Sequence, residues 1–223
     1  MDLPTRFLLE NRAWADEVER REPAFFDGLS SGQQPGVFWI GCADSRVPAE
    51  RITNAAPGEL FVHRSVANLA LPHDNSLMSA LQYAVDELKV RHVIVCGHDA
   101  CGGVKAALMA ARAPVVEPVR AHAEPDYLGE RIRPLRELYG RHRAEVDGGD
   151  ASDELAGLAA QVDRLVALNV RAQVEHLADT GVVRRAWQRG QALALHGWVY
   201  GLRDGRLREL TSLDDDLAEA QAA

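Results

Sequence analysis

Val37-Phe38-Trp39-Ile40-Gly41-Cys42-Ala43-Asp44-Ser45-Arg46 decides how the chain folds. Four apolar residues in a row give way at once to a polar loop. A run this short and uniformly apolar suits a strand buried on both faces, the habit of parallel sheets. Pro48 then suits the first turn of a short helix over Ala49–Thr53. The same rhythm returns downstream. Leu60-Phe61-Val62-His63 follows a Pro57-Gly58 turn and reads as a second strand. In NSLMSALQYAVDELK (75–89), Leu77, Leu81, Ala84, Val85 and Leu88 recur at three- and four-residue spacing and predict an amphipathic helix. His92-Val93-Ile94-Val95-Cys96 is a third strand. It ends at Gly97-His98-Asp99-Ala100-Cys101-Gly102-Gly103, and a helix continues over 104–111. Three rounds of strand, loop and helix predict an α/β fold around a parallel sheet with right-handed crossovers.

Outward from this centre, residues 5–27 read as a polar-rich helix with apolar positions Phe7, Leu8, Trp14, Val18 and Phe25. Such a helix packs on a neighbour, and a second copy of the chain is one candidate. The stretch 112–150 is punctuated by Pro, Arg and Gly and ends in an Asp147-Gly148-Gly149-Asp150 turn. Residues 152–179 predict a long helix with Leu155, Leu158, Val162, Leu165, Val166, Val170, Val174 and Leu177 on one face. A last strand, 192–200, precedes an Asp204-Gly205 turn and a hairpin return over 206–210. The expected parts are therefore a helical arm (1–34), an α/β domain (35–213) and an acidic tail (214–223).

Composition narrows the function classes. The 223 residues are 47% hydrophobic and 26% charged, near the globular average, so disorder throughout is excluded. Three Cys are too few for a disulfide scaffold. With 25 Lys+Arg against 33 Asp+Glu, the net charge of −8 lacks the basic field of a nucleic-acid binder. No stretch of 18 apolar residues predicts a membrane span. The first twenty residues carry acidic side chains and no apolar h-region, so the expected setting is cytoplasmic, with reduced thiols. There, sparse Cys point to metal or catalysis before disulfides.

Two strand ends carry the chemistry. Cys42, Asp44 and Arg46 follow the first strand; His98 and Cys101 follow the third. Ligands in open α/β sheets gather beyond the carboxyl ends of strands, so these five can meet in one crevice. Two thiolates and an imidazole suit a tetrahedral Zn²⁺, and three protein ligands leave a fourth position open, as in catalytic sites. Spacing alone leaves open that these are ordinary core residues, since a buried Cys is commonly a small hydrophobe. Cys96, inside its strand, is expected to be such an inert thiol. A phosphatase loop needs Cys and Arg six positions apart, and here they are four apart.

At these residues the chain resembles the β-class carbonic anhydrases. The resemblance rests on CADSRVPAE (42–50), PGELFVHR (57–64), LQYAV (81–85) and VCGHxxCGGV (95–104). RGQ (189–191) and HGWVY (196–200) match the carboxy-terminal part of bacterial members. It implies a Rossmann-like three-layer fold with a mostly parallel sheet of four to five strands and an N-terminal helical arm, assembled as homodimers, often paired into tetramers. It implies one Zn²⁺ per chain on Cys42, His98 and Cys101, with Asp44 and Arg46 as the adjoining dyad. The implied activity is reversible hydration of CO2 to bicarbonate and a proton by zinc-bound hydroxide. Gly102 would offer its N–H to the bound anion, and Tyr83 would line the substrate pocket.

In some bacterial members the Asp swings onto zinc as fourth ligand, which here would be Asp44. That state accompanies a bicarbonate pocket of Trp, Arg and Tyr. Trp39 and Arg64 match the first two, while the Tyr position is Glu175, a carboxylate that would repel bicarbonate or pair with Arg64. Two other readings share the metal set: hydrolysis of carbonyl sulfide or carbon disulfide, and a non-catalytic zinc or bicarbonate sensor. The sensor would be favoured by loss of Asp44 or Arg46, and both are present.

Overall fold

The computed structural model describes residues 1–113, 125–148 and 154–214, with side chains from Gly157 onward in the last stretch. Five strands form one sheet in the order β2-β1-β3-β4-β5. They are β1 (Val37–Cys42), β2 (Leu60–Ser65), β3 (His92–His98), β4 (Ala194–Tyr200) and β5 (Leu207–Leu213). The first four run parallel, and β5 returns antiparallel on β4. The expected α/β architecture is therefore present, with the sheet at five strands.

Strand alternation divides the sheet into two faces. Phe38, Ile40, Val93, Val95 and Leu195 point to one face. They pack there against Leu77 and Leu81 of α4 (Asn75–Gln82) and against Val183, Ala186 and Trp187 of α9 (Gly181–Gln188). Val174 and Leu177 of α8 (Glu154–Ala178) join the same cluster. Trp39, Ile94 and Cys96 point the other way, where Ala49 and Ile52 of α3 (Ala49–Thr53) meet them. A further cluster joins α5 (Gly102–Arg112), α6 (Tyr127–Arg141), α7 (Arg143–Asp147) and α8 around Cys42 and Cys101. The sheet is thus layered between helices.

Helix α8 lies almost on the sheet backbone. A Cβ on Gly97 would sit 2.7 Å from Val170 Cγ2 and 3.0 Å from Val166 Cγ1. A Cβ on Gly197 would sit 2.9 Å from Val170 Cγ1. These two glycines mark where strand and helix touch without an intervening side chain.

Several expectations are corrected. The helix expected over 5–27 is two, α1 (Leu3–Arg21) and α2 (Phe25–Ser30). Pro23 separates them, because a proline disfavours helical backbone in the residue before it; Glu22 has φ −136° and ψ 79°. The helix expected over 75–89 changes character at Tyr83. Residues Tyr83–Glu87 form a wider π turn, with Leu88 N–H bonding to Tyr83 O across five residues, and Lys89 leaves it at φ +55°. The stretch 112–150, to which the punctuation by Pro, Arg and Gly assigned no helix, holds α6 and α7. Ile132, Leu135, Leu138 and Tyr139 of α6 are buried at helical spacing despite Pro134 within the helix. The long helix runs over Glu154–Ala178, and β5 extends three residues past the expected hairpin return. The side chain of Leu155, the Gly149-Asp150 half of the expected turn, and the acidic tail beyond Asp214 lie outside the described residues.

The close approach of α8 gives a direct test. Gly97→Ala forces a methyl group into Val170 and costs about 1–3 kcal/mol of overpacking. For a domain of this size that lowers Tm by roughly 2–10 °C in a thermal melt. Gly102→Ala meets nothing within 4 Å and leaves Tm unchanged.

Candidate metal centre

The parallel register sets the site. Cys42 closes β1, and His98 closes β3 on the adjacent strand. Cys101 stands immediately before the first residue of α5, Gly102. The three ligand atoms lie within 4.8 Å of one another, and all three residues are buried. The Cys42 and Cys101 sulfurs are 3.9 Å apart and unbonded. Two thiolates on one Zn²⁺ at about 2.3 Å each would stand about 3.8 Å apart in a tetrahedron. The sulfur pair therefore already has the spacing of a zinc pair.

His98 supplies an independent check on fit. Its Nδ1 faces the Asp99 carbonyl at 3.0 Å, which fixes the proton there and leaves Nε2 with a free lone pair. That Nε2 is buried without a hydrogen-bond partner. An orphaned acceptor facing two sulfurs is a costly arrangement unless a cation fills it. A hydrogen bond shared between the two sulfurs favours ionisation at Cys42 and pushes Cys101 up. The pocket thus favours one thiolate even before a metal arrives. Cys96 is the contrast: burial pushes it up to about 12, an inert core thiol. The donor set and its geometry fit Zn²⁺.

Asp44 stands beside this cluster. Arg46 engages both carboxylate oxygens, Nε on Oδ1 at 2.9 Å and a terminal nitrogen on Oδ2 at 2.7 Å. Arg46 N–H adds a third bond at 2.9 Å. This fork holds Asp44 well below the usual carboxylate range. Asp44 Oδ2 is 3.8 Å from His98 Nε2, so the dyad borders the ligand cluster.

The structure brings Cys42, Asp44, Arg46, His98, Cys101 and Gly102 together at one end of the sheet. Space opens beyond Gly102, where a Cβ would meet nothing within 4 Å. Tyr83 is not in contact with that group; its ring packs on Phe61 at 5.8 Å and stays 45% exposed. Trp39 is buried, edge-on to Trp198 at 6.1 Å. Arg64, from β2, bonds the Cys42 carbonyl through Nε at 2.9 Å and the Asp44 carbonyl through its second arm. Its fork braces the backbone of the ligand loop and does not pair with Glu175.

The sequence reading missed three supports. Asp163 of α8 accepts a hydrogen bond from Ala100 N–H at 2.9 Å. Arg208 of β5 holds the Asp99 carboxylate at 3.0 and 3.2 Å. Asn169 of α8 donates to the Ala67 carbonyl, beside the site. Asp99 is thereby paired across the sheet. Each support acts from more than 60 residues away, so local sequence carries no sign of it.

A family model described as carbonic anhydrase matches residues 37–207. A carbonic anhydrase of Emericella nidulans is 38% identical over 200 residues, covering 90% of this chain and 80% of its own length. Among solved structures, a Coccomyxa β-carbonic anhydrase in complex with acetazolamide superposes with a TM-score of 0.81 at 38% identity. It covers 95% of this chain and 88% of its own. A tetrameric β-carbonic anhydrase from the filamentous ascomycete Sordaria macrospora gives 0.79 at 34% identity, covering 94% and 98%. The likeness therefore extends well beyond the bacterial members to which the carboxy-terminal motifs pointed. The chain belongs to the carbonic anhydrase family and is an enzyme of its β class.

Proposed function

We propose that the chain catalyses the reversible hydration of CO2 to bicarbonate and a proton, with one Zn²⁺ held by Cys42, His98 and Cys101. The observation that carries this reading is the buried triad, its orphaned His98 Nε2, and the Asp44–Arg46 pair directly beside it. Bound there, zinc would supply the Lewis acidity that brings the ionisation of water into the neutral range.

The chain's own residues do the rest. Asp44, kept ionised by Arg46, accepts a hydrogen bond from the attacking water and aims its remaining lone pair at the CO2 carbon. Arg46 takes both Asp44 oxygens, which supports the open arrangement, with Asp44 turned from the metal position rather than onto it. Gly102 N–H, at the first turn of α5, offers a donor to the bicarbonate oxygens, and the helix end favours the anion's charge. Tyr83, packed on Phe61 of β2 and apart from this cluster, draws no support as a pocket residue. Arg64 serves the loop backbone, so Trp39 and Arg64 draw no support as a bicarbonate pocket. The intact dyad gives no support to a sensor, and nothing singles out a sulfur-containing substrate.

The working unit is a homo-oligomer. Helix α1 runs nineteen residues without burying one, and leaves Phe7, Leu8, Leu9 and Trp14 exposed. A helix with that apolar content gains stability only from a partner surface, and a second copy is the partner this reading assigns. Among the described residues, no helix is long and apolar enough to cross a membrane.

Stopped-flow CO2 hydration from about pH 6.5 to 9, with zinc measured on the same sample, tests the activity. One zinc per chain and a rate that rises with pH are expected; full zinc with no hydration at any pH would overturn the reading. Because Arg46 keeps Asp44's pKa low, Asp44 is ionised throughout that range and contributes no inflection to the profile. Asp44→Asn keeps zinc and loses roughly 10²-fold or more in kcat. Cys42→Ser loses zinc, whereas Cys96→Ala retains both zinc and activity, by metal analysis and the same assay. Replacing Phe7 and Trp14 by Asp shifts the mass by light scattering toward that of one chain.

A further inference from the structure

We propose that Asp163 is a positioning residue for the metal centre: it orients and polarises His98 through the single peptide group that joins Asp99 to Ala100. The inference rests on the zinc reading above. That peptide carries two opposed hydrogen bonds. Its carbonyl, Asp99 O, lies 3.0 Å from His98 Nδ1 and accepts its proton. Its amide, Ala100 N–H, donates to Asp163 Oδ1 at 2.9 Å. The peptide is a rigid plane, so fixing its N–H fixes the direction of its carbonyl, and with it the plane of the imidazole.

The arrangement is a carboxylate–peptide–histidine chain. A carboxylate on an amide N–H draws charge onto the carbonyl oxygen of the same group. The stronger carbonyl acceptor strengthens the bond from Nδ1–H and makes Nε2 the better donor to a metal. Metal-bound histidines commonly meet a carboxylate or a carbonyl directly; here a carboxylate works through the carbonyl.

The surroundings leave this task to Asp163. Ala100 has φ +54°, a left-handed conformation that costs a residue with a Cβ about 1 kcal/mol or more. Asp99's carboxylate is held by Arg208, so it does not compete for the amide. Asp99 N–H is taken by Tyr200 O at 3.0 Å. Ala100 N–H is thus the free handle between the two ligands, and Asp163 is the side chain that takes it. The neighbouring Arg164 provides an internal control, because both of its hydrogen bonds run to the Val146 carbonyl on α7.

The test measures zinc transfer from the holoenzyme to a chromophoric chelator for wild type, Asp163→Ala, Asp163→Asn and Arg164→Ala. It adds the thiolate and d–d absorption bands of each Co²⁺-substituted form. Asp163→Ala is expected to release zinc tenfold faster or more, with shifted Co²⁺ bands. Asp163→Asn, which keeps a neutral acceptor, falls between it and wild type. Arg164→Ala lowers Tm and leaves release and spectrum unchanged. Equal acceleration in Asp163→Ala and Arg164→Ala, or wild-type release from Asp163→Ala, overturns the proposal alone. Where Asp163→Ala yields no folded protein, Asp163→Asn decides: faster release supports the proposal and wild-type release overturns it. A wild-type protein that holds no zinc overturns the parent reading, and this one with it.

Discussion

The contact of α8 with the backbone of β3 and β4 is the constraint on which the site depends. Val166 and Val170 lie where a side chain on Gly97 would otherwise stand, and Val170 does the same at Gly197. A helix this close to the sheet can reach the strand ends with short polar side chains. Asn169 holds the Ala67 carbonyl, and Gln173 both donates to Asn169 and accepts from Ala70 N–H. Asp163 reaches Ala100 from the same helix. One element thus steadies two of the backbone segments that surround the ligands. Gly103 completes the fit, since a Cβ there would sit 2.8 Å from Val66 Cγ1.

Three cysteines in one chain show how far surroundings govern a thiol. Cys96 sits among apolar neighbours inside a strand, its thiol turned to the Gly97 carbonyl at 3.3 Å, and burial is the main cause that pushes its pKa up. Cys42 and Cys101 are as hidden from water, yet each faces the other's sulfur and a histidine nitrogen. The first environment suppresses ionisation; the second concentrates electron pairs in a space with no proton to satisfy them all. The Asp44–Arg46 pair follows the same logic at the edge of the cluster. A carboxylate at the edge of this cluster, 3.8 Å from His98 Nε2, is tolerable because a guanidinium spans both of its oxygens.

The parts of this structure that are local in origin were legible in the sequence. Short apolar runs ending at Gly41-Cys42 and Gly97-His98 announce buried strands and mark their ends, where the candidate ligands stand. The inert character of Cys96 follows from its place in the middle of a run. Features decided by tertiary contact were not legible. Helix α6 forms because Ile132, Leu135 and Leu138 find a core, although Pro134 and the arginines around them give no helical sign. The π turn at Tyr83 has no sign in its composition. Asp163 sits among polar residues of an amphipathic helix and reads as ordinary solvated surface. Arg64 was readable as a functional cation, but its target is a pair of backbone carbonyls, which no side-chain pattern reveals.

Arg64 also ties the metal loop to the sheet's exposed margin. It stands on β2, the outermost parallel strand, and grips the carbonyls on either side of Ala43. Outer strands open most readily in a native protein. A ligand that stabilises the loop must therefore stabilise the strand that holds it, and by thermodynamic reciprocity a frayed strand weakens the ligand by the same factor. The amides of β2 would thus report from a distance on an ion bound at the centre, their hydrogen exchange slowing as it fills.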